Sequence, residues 1–94
     1  MSSKMHIIDV REPHEFSAGH AEGARNMPLS KLAQISQEHA DIGIDDKIVV
    51  YCRSGGRASI ACQILHSIGY SQVINGVNQS TVETEHLSES ENPV

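Results

Sequence analysis

Short apolar runs alternate with helix-period patterns along this chain. His6-Ile7-Ile8-Asp9-Val10 reads as a strand close to the N-terminus. Glu12 to Phe16 follows as a short helix, with Pro13 preset for the first turn and Gly19 near the end. Gly23-Ala24-Arg25-Asn26-Met27 predicts a second, short strand closed by Pro28. Ser30 is placed as the N-cap of a helix that turns Leu32 and Ile35 inward and runs toward Ala40. Lys47-Ile48-Val49-Val50-Tyr51 has an unbroken apolar core, the pattern of a parallel strand covered on both faces. From Gly56 onward, Ala58, Ala61, Leu65 and Ile68 recur at helical spacing, and Gly69 supplies the stop. Gln72-Val73-Ile74 predicts a last strand. This alternation predicts the α/β class, with a mainly parallel central sheet and helices on both faces. Residues 1–79 form the single domain, and 80–94 read as a polar tail, apolar only at Val82 and Leu87 and expected to fray.

Composition narrows the partners. A chain of 94 residues makes one small domain near the lower end of self-sufficiency. A net charge of −5 argues against holding nucleic acid or an anionic membrane through bulk electrostatics. No apolar run approaches a membrane span, and Met1-Ser2-Ser3-Lys4 begins no secretory pattern, so the expected location is the cytoplasm. Two cysteines without an export pattern are expected as free thiols. The six histidines show no metal-ligand spacing with cysteine, so neither metal nor cofactor is expected. His20 is expected to hydrogen-bond locally. Nothing in the sequence sets the oligomeric state.

The chemistry concentrates in Cys52-Arg53-Ser54-Gly55-Gly56-Arg57. Cys52 ends a buried strand above a glycine-rich turn and faces a helix N-terminus. Converging backbone N–H groups and the helix dipole both favour an anion there. Cys52 is therefore expected to be largely thiolate near neutral pH, a nucleophile. Arg53 and Arg57 flank the glycines and would draw in an anionic substrate, with Ser54, Gly55 and Gly56 supplying the cradle. Cys62 lies roughly 10 Å away along the next helix, too far for a disulfide to Cys52, and is read as a packing residue.

These residues resemble a known family. Ile8-Asp9-Val10-Arg11-Glu12-Pro13-His14-Glu15-Phe16, then Gly19-His20, then Gly23 to Leu29, look like the first half of a rhodanese domain. Val49-Val50-Tyr51-Cys52-Arg53-Ser54-Gly55-Gly56-Arg57-Ala58 looks like its active-site strand and loop, and the match spans roughly residues 5 to 78. The resemblance implies a single-domain sulfurtransferase in which Cys52 carries sulfane sulfur as a persulfide. It also implies that Asp9, Arg11 and Glu15 form a structural ion-pair network bracing the first strand and helix. Two departures stand out. Rhodanese domains usually begin with a further strand and helix upstream, so one sheet edge is expected to be open. Paired glycines and an aromatic residue commonly follow the last strand, where this chain has Asn75-Gly76-Val77-Asn78.

Loop length separates two chemistries. Cysteine phosphatases place one residue more between cysteine and arginine than the four found here, Arg53 to Gly56. The smaller ring of N–H groups suits a terminal persulfide sulfur better than a tetrahedral phosphate, and Tyr51 stands where such phosphatases often carry histidine. The expected reaction is transfer from thiosulfate, or a related small anionic donor, to cyanide or a thiol. The alternative is a persulfide carrier loaded by a protein thiol partner. A phosphatase or arsenate reductase is disfavoured.

Overall fold

The computed structural model describes residues 4–87. Among these, four strands form one sheet in the order β2-β1-β3-β4. Strand β1 (Met5–Asp9) pairs in parallel with β2 (Arg25–Asn26) on one side and with β3 (Lys47–Cys52) on the other. Strand β4 (Gln72–Asn78) adds in parallel to β3 and forms the far edge. Every pairing is parallel, so each connection must cross a face of the sheet, and the β3 core reads as a continuous apolar run because both faces are covered. Among the described residues β2 and β4 are each paired on one side only and form the two edges of the sheet.

One face packs against α3 (Gly56–Ser67), a 3-10 helix (Leu29–Gln34) and the short α2 (Ile35–Glu38). Ile8, Val10, Ile48 and Val50 meet Leu32, Ile35, Ala58, Ala61 and Leu65 there. Each fully buried Val, Leu or Ile side chain of this set contributes about 1.5–3 kcal/mol over its exposed state. The opposite face carries Ile7, Val49 and Tyr51, covered by Ala21 in the loop after α1 (Pro13–Ala18) and by Val82. Tyr51 is fully buried, and its hydroxyl accepts the Ala21 N–H at 3.0 Å. Burial pushes that phenol up to about 12.

Four local expectations need correction. Ser30 is not an N-cap: the chain already turns at Pro28, whose carbonyl accepts the Lys31 N–H at 2.8 Å, and winds as a 3-10 helix. Ile68 is 42% exposed, because α3 ends at Ser67 and the left-handed Gly69 (φ 112°) swings the chain away. Tyr70 fills the place instead, its N–H donating to the Leu65 carbonyl at 3.0 Å. The last strand continues four residues past Ile74, to Asn78. Helix also continues beyond it, as α4 (Gln79–Thr81) and a π-helical segment (Val82–Leu87) whose Val82 is fully buried. The remainder of the expected tail, 88–94, lies outside the described residues, as does the N-terminal Met1-Ser2-Ser3.

Candidate active site

Cys52 is the last residue of β3, and its side chain lines an open cleft of about 400 Å³ with Arg11, Arg53, Asn78, Gln79, Ser80 and Glu83. The glycine-rich turn curls over its sulfur. Gly55 stands at φ +97°, a conformation that costs an L side chain and that glycine adopts freely. That twist aims the Gly55 N–H at Cys52 Sγ, 3.1 Å away. Burial opposes a thiolate here, yet the backbone N–H groups of Ala58, Ser54, Gly55 and Arg57 outweigh it and hold the thiol below its ordinary value. Cys62 shows the contrast. It is half-buried against the core without such donors, and burial pushes its thiol up. Both thiols are free.

The two loop arginines part company. Arg53 is exposed and reaches the cleft beside Cys52, making no hydrogen bond or ion pair with any described residue. Arg57 turns to Glu15 on α1: Nη1 donates to Oε1 at 2.9 Å and Nη2 to Oε2 at 3.1 Å. It is not among the cleft-lining residues. A fixed, bidentate geometry of this kind specifies orientation as well as charge. Arg57 hydrogen-bonding, together with the Glu12 N–H at 2.9 Å, lowers the Glu15 carboxyl to about 2. The pair ties α1 to the first turn of α3 directly behind the Cys52 loop.

Arg11, expected only as part of an ion-pair network, also reaches the cleft. It does pair with Asp9, Nη2 to Oδ2 at 2.6 Å and Nε to Oδ1 at 2.9 Å, and Nη2 also donates to the Gly19 carbonyl at 2.7 Å. That hydrogen bonding to buried Asp9 raises the guanidinium further above its ordinary value. Its ring contact is with Tyr51, 5.4 Å from the centroid. So anchored, Arg11 still lines the Cys52 cleft, and with Arg53, His14, Glu15 and Ala18 it lines a neighbouring one. The sequence offered one hint: Arg11 directly follows the segment after β1, and β1 and β3 are neighbours whose C-terminal ends share one rim of a parallel sheet.

A bulge completes the wall. Val50 pairs with Asn75 but Cys52 with Asn78, so β4 carries one residue more than β3 over this stretch. The Asn75 side chain straddles it, Nδ2 donating to the Gly55 carbonyl at 3.1 Å and Oδ1 accepting the Val77 N–H at 2.8 Å. The bulge thereby braces the Cys52 loop and brings Asn78, Gln79, Ser80 and Glu83 to the cleft. His20, for its part, donates Nδ1–H to the Phe16 carbonyl at 2.9 Å, a local bond as expected.

The profile of the rhodanese-like domain family matches residues 1–78. The chain is 43% identical over 72 residues to the uncharacterized protein YqhL of Bacillus subtilis, covering 77% of this chain and 55% of that protein. It is 36% identical over 73 residues to the thiosulfate sulfurtransferase PspE of Escherichia coli, covering 74% of this chain and 66% of that one. Both relatives therefore extend beyond the part that this chain spans. Among solved structures, a rhodanese with anions from E. coli superposes with a TM-score of 0.74 at 32% identity, over 82% of this chain and 89% of the other. The parallel sheet, the motifs and these matches agree: the chain belongs to the rhodanese-like domain family.

Proposed function

We propose that this chain is a sulfurtransferase that carries sulfane sulfur on Cys52. The observation that supports it best is the set of backbone N–H groups gathered on Sγ at the floor of an open cleft. A thiolate there needs no general base. It attacks the outer sulfur of thiosulfate, a Cys52–S bond forms, the sulfur–sulfur bond of the donor breaks, and sulfite leaves with the bonding pair. The resulting Cys52–S–S⁻ keeps its charge against the same N–H groups and the first turn of α3. Cyanide or a thiol then takes the outer sulfur and returns Cys52 as thiolate. Arg53, free of protein partners among the described residues, serves the incoming dianion. Arg57 acts from behind, its charge near Cys52 and its position set by Glu15. Covalent transfer in two half-reactions predicts ping-pong kinetics.

The deciding experiment is the intact mass after incubation with thiosulfate, for the wild type and for Cys52→Ser. A gain of one sulfur atom on the wild type alone, reversed by cyanide, supports the reading. No adduct on folded protein removes thiosulfate as donor and turns the reading to a carrier loaded by a partner's persulfide.

A further inference from the structure

The N–H groups that favour a thiolate at Cys52 lie on both sides of one peptide unit. Ser54 and Gly55 supply theirs before it, and Arg57 and Ala58 supply theirs after it, from the first turn of α3. The unit between them joins Gly55 to Gly56, two residues without a Cβ. Gly55 stands at φ +97° and ψ −14°, a conformation that glycine leaves as easily as it enters. The glycines themselves therefore do not fix this junction. Its carbonyl takes two bonds instead: the Ser59 N–H donates to it at 2.9 Å, within α3, and Asn75 Nδ2 donates to it at 3.1 Å from β4. A peptide unit is planar, so holding its carbonyl sets the torsions on either side, ψ of Gly55 and φ of Gly56.

The same amide has a second arm. Oδ1 accepts the Val77 N–H at 2.8 Å and holds the left-handed Val77 of the bulge. Val77 in turn lies close to the loop, since a Cβ placed on Gly55 would stand 3.5 Å from Val77 Cγ1. Asn75 pairs in register with Val50, two residues before Cys52 on the adjacent strand, and it is not among the residues that line the cleft. One short side chain thus ties the sheet to the junction of the cradle. We propose that Asn75 is a positioning residue of the sulfur-transfer site, its amide holding the Gly55–Gly56 peptide so that both halves of the N–H cradle stay on Cys52 Sγ. This rests on the Cys52 sulfur-transfer reading above. Asn75 is exposed, so water replaces its bond to Gly55 in strength but not in direction.

Alkylation by iodoacetamide over a pH series, mapped by peptide, compares the wild type with Asn75→Ala. The Cys52 inflection is expected to move up toward that of an ordinary thiol. Below both inflections its rate is expected to fall about threefold to tenfold, the scale of one hydrogen bond. Cys62, packed against the core, is expected to keep both its rate and its inflection. A purely structural asparagine would lower the unfolding free energy and leave the Cys52 inflection in place, and that result overturns the proposal. If Asn75→Ala also speeds Cys62, the deciding pair is Val77→Gly against Val77→Gly/Asn75→Ala, in which Oδ1 has no strained valine to hold. A raised Cys52 inflection in that pair upholds the clamp, and an unmoved one overturns it. Thiosulfate loading of the wild type, read by intact mass, keeps the two readings apart. A chain that loads sulfur but shows no shift with Asn75→Ala keeps the activity and loses the clamp. A chain that shows the shift but takes no sulfur keeps the clamp and loses the thiosulfate activity.

Discussion

Gly76 lies directly under Val82. A Cβ at Gly76 would stand 2.7 Å from Val82 Cγ2, 2.8 Å from Val49 Cγ1 and 3.2 Å from the Val50 carbonyl oxygen. Both valines are fully buried, so neither has room to retreat. Through this contact the segment after β4 seats on the sheet and becomes a wall of the Cys52 cleft. Gly76→Ala is therefore expected to cost about 1–3 kcal/mol, the range for one added methyl group in a packed core. In a Val82→Ala background the same change is expected to cost less, because the first of the two clashes is gone. Denaturant unfolding of the four members of this cycle reads the difference, and strict additivity would show that the valine does not rest on Gly76.

Val77 sits at φ +72°, the one non-glycine residue with positive φ among those described. A β-branched side chain is poorly suited to that region, at a cost of about 1–3 kcal/mol. The bulge and the Asn75 side chain that bonds the Val77 N–H hold it there. Val77→Gly removes the clash and adds about 0.5–1 kcal/mol of unfolded-state entropy. Relief of strain outweighs this, so the variant is expected to gain about 1 kcal/mol, raising Tm by about 4–8 °C for a domain of this size. Differential scanning calorimetry checks it; a lower Tm would mean that the valine contacts around Gly55 matter more than the backbone.

The Glu15–Arg57 pair predicts an acid-sensitive brace. In the folded chain Arg57 and the Glu12 N–H lower Glu15 to about 2, from an ordinary value of 4.5. A depressed folded value means that the contribution is complete above pH 4.5 and is lost as pH falls toward about 2. Asp41, lowered to about 2 by Arg25, adds a slope of the same sign from another part of the surface. Glu15→Gln is expected to flatten stability against pH in this window without erasing it. Urea unfolding from pH 5 to pH 2 measures the slopes, and identical slopes for wild type and variant would remove the pair as a determinant.

How much of this was legible in the sequence follows from how local each cause is. The β1 and β3 runs, the Ala58-Ala61-Leu65 stripe, the Gly69 stop and the Cys52 turn are set by neighbouring residues, and all stand where the pattern put them. Contacts across the fold were harder to read. Arg57 stands in the first turn of α3, yet its partner Glu15 is 42 residues away, and no spacing rule links the two. The β4 bulge hides because Asn75-Gly76-Val77-Asn78 reads locally as a turn that ends a strand, whereas β3 keeps it paired as far as Asn78. Val82 is a single apolar residue in a polar stretch. Its burial depends on the space left by Gly76, which only the folded sheet creates.

Thiol reactivity separates the two cysteines along the same lines. Cys52 is lowered by the loop N–H groups against the opposing effect of burial, and Cys62 is raised by burial with no such donors. The thiolate is the reactive form, so at neutral pH iodoacetamide is expected to alkylate Cys52 at least about tenfold faster than Cys62. The pH–rate curve of Cys52 is expected to bend below that of Cys62, since its thiolate persists to lower pH. Access works in the opposite direction, because Cys52 is 3% exposed while Cys62 is only partly buried. The shape of the curve separates the two contributions: access scales the rate at every pH, whereas a lowered thiol moves the inflection. Peptide mapping by mass spectrometry over a pH series gives both quantities. A Cys52 whose inflection coincides with that of an ordinary thiol would remove the N–H cradle as a source of reactivity.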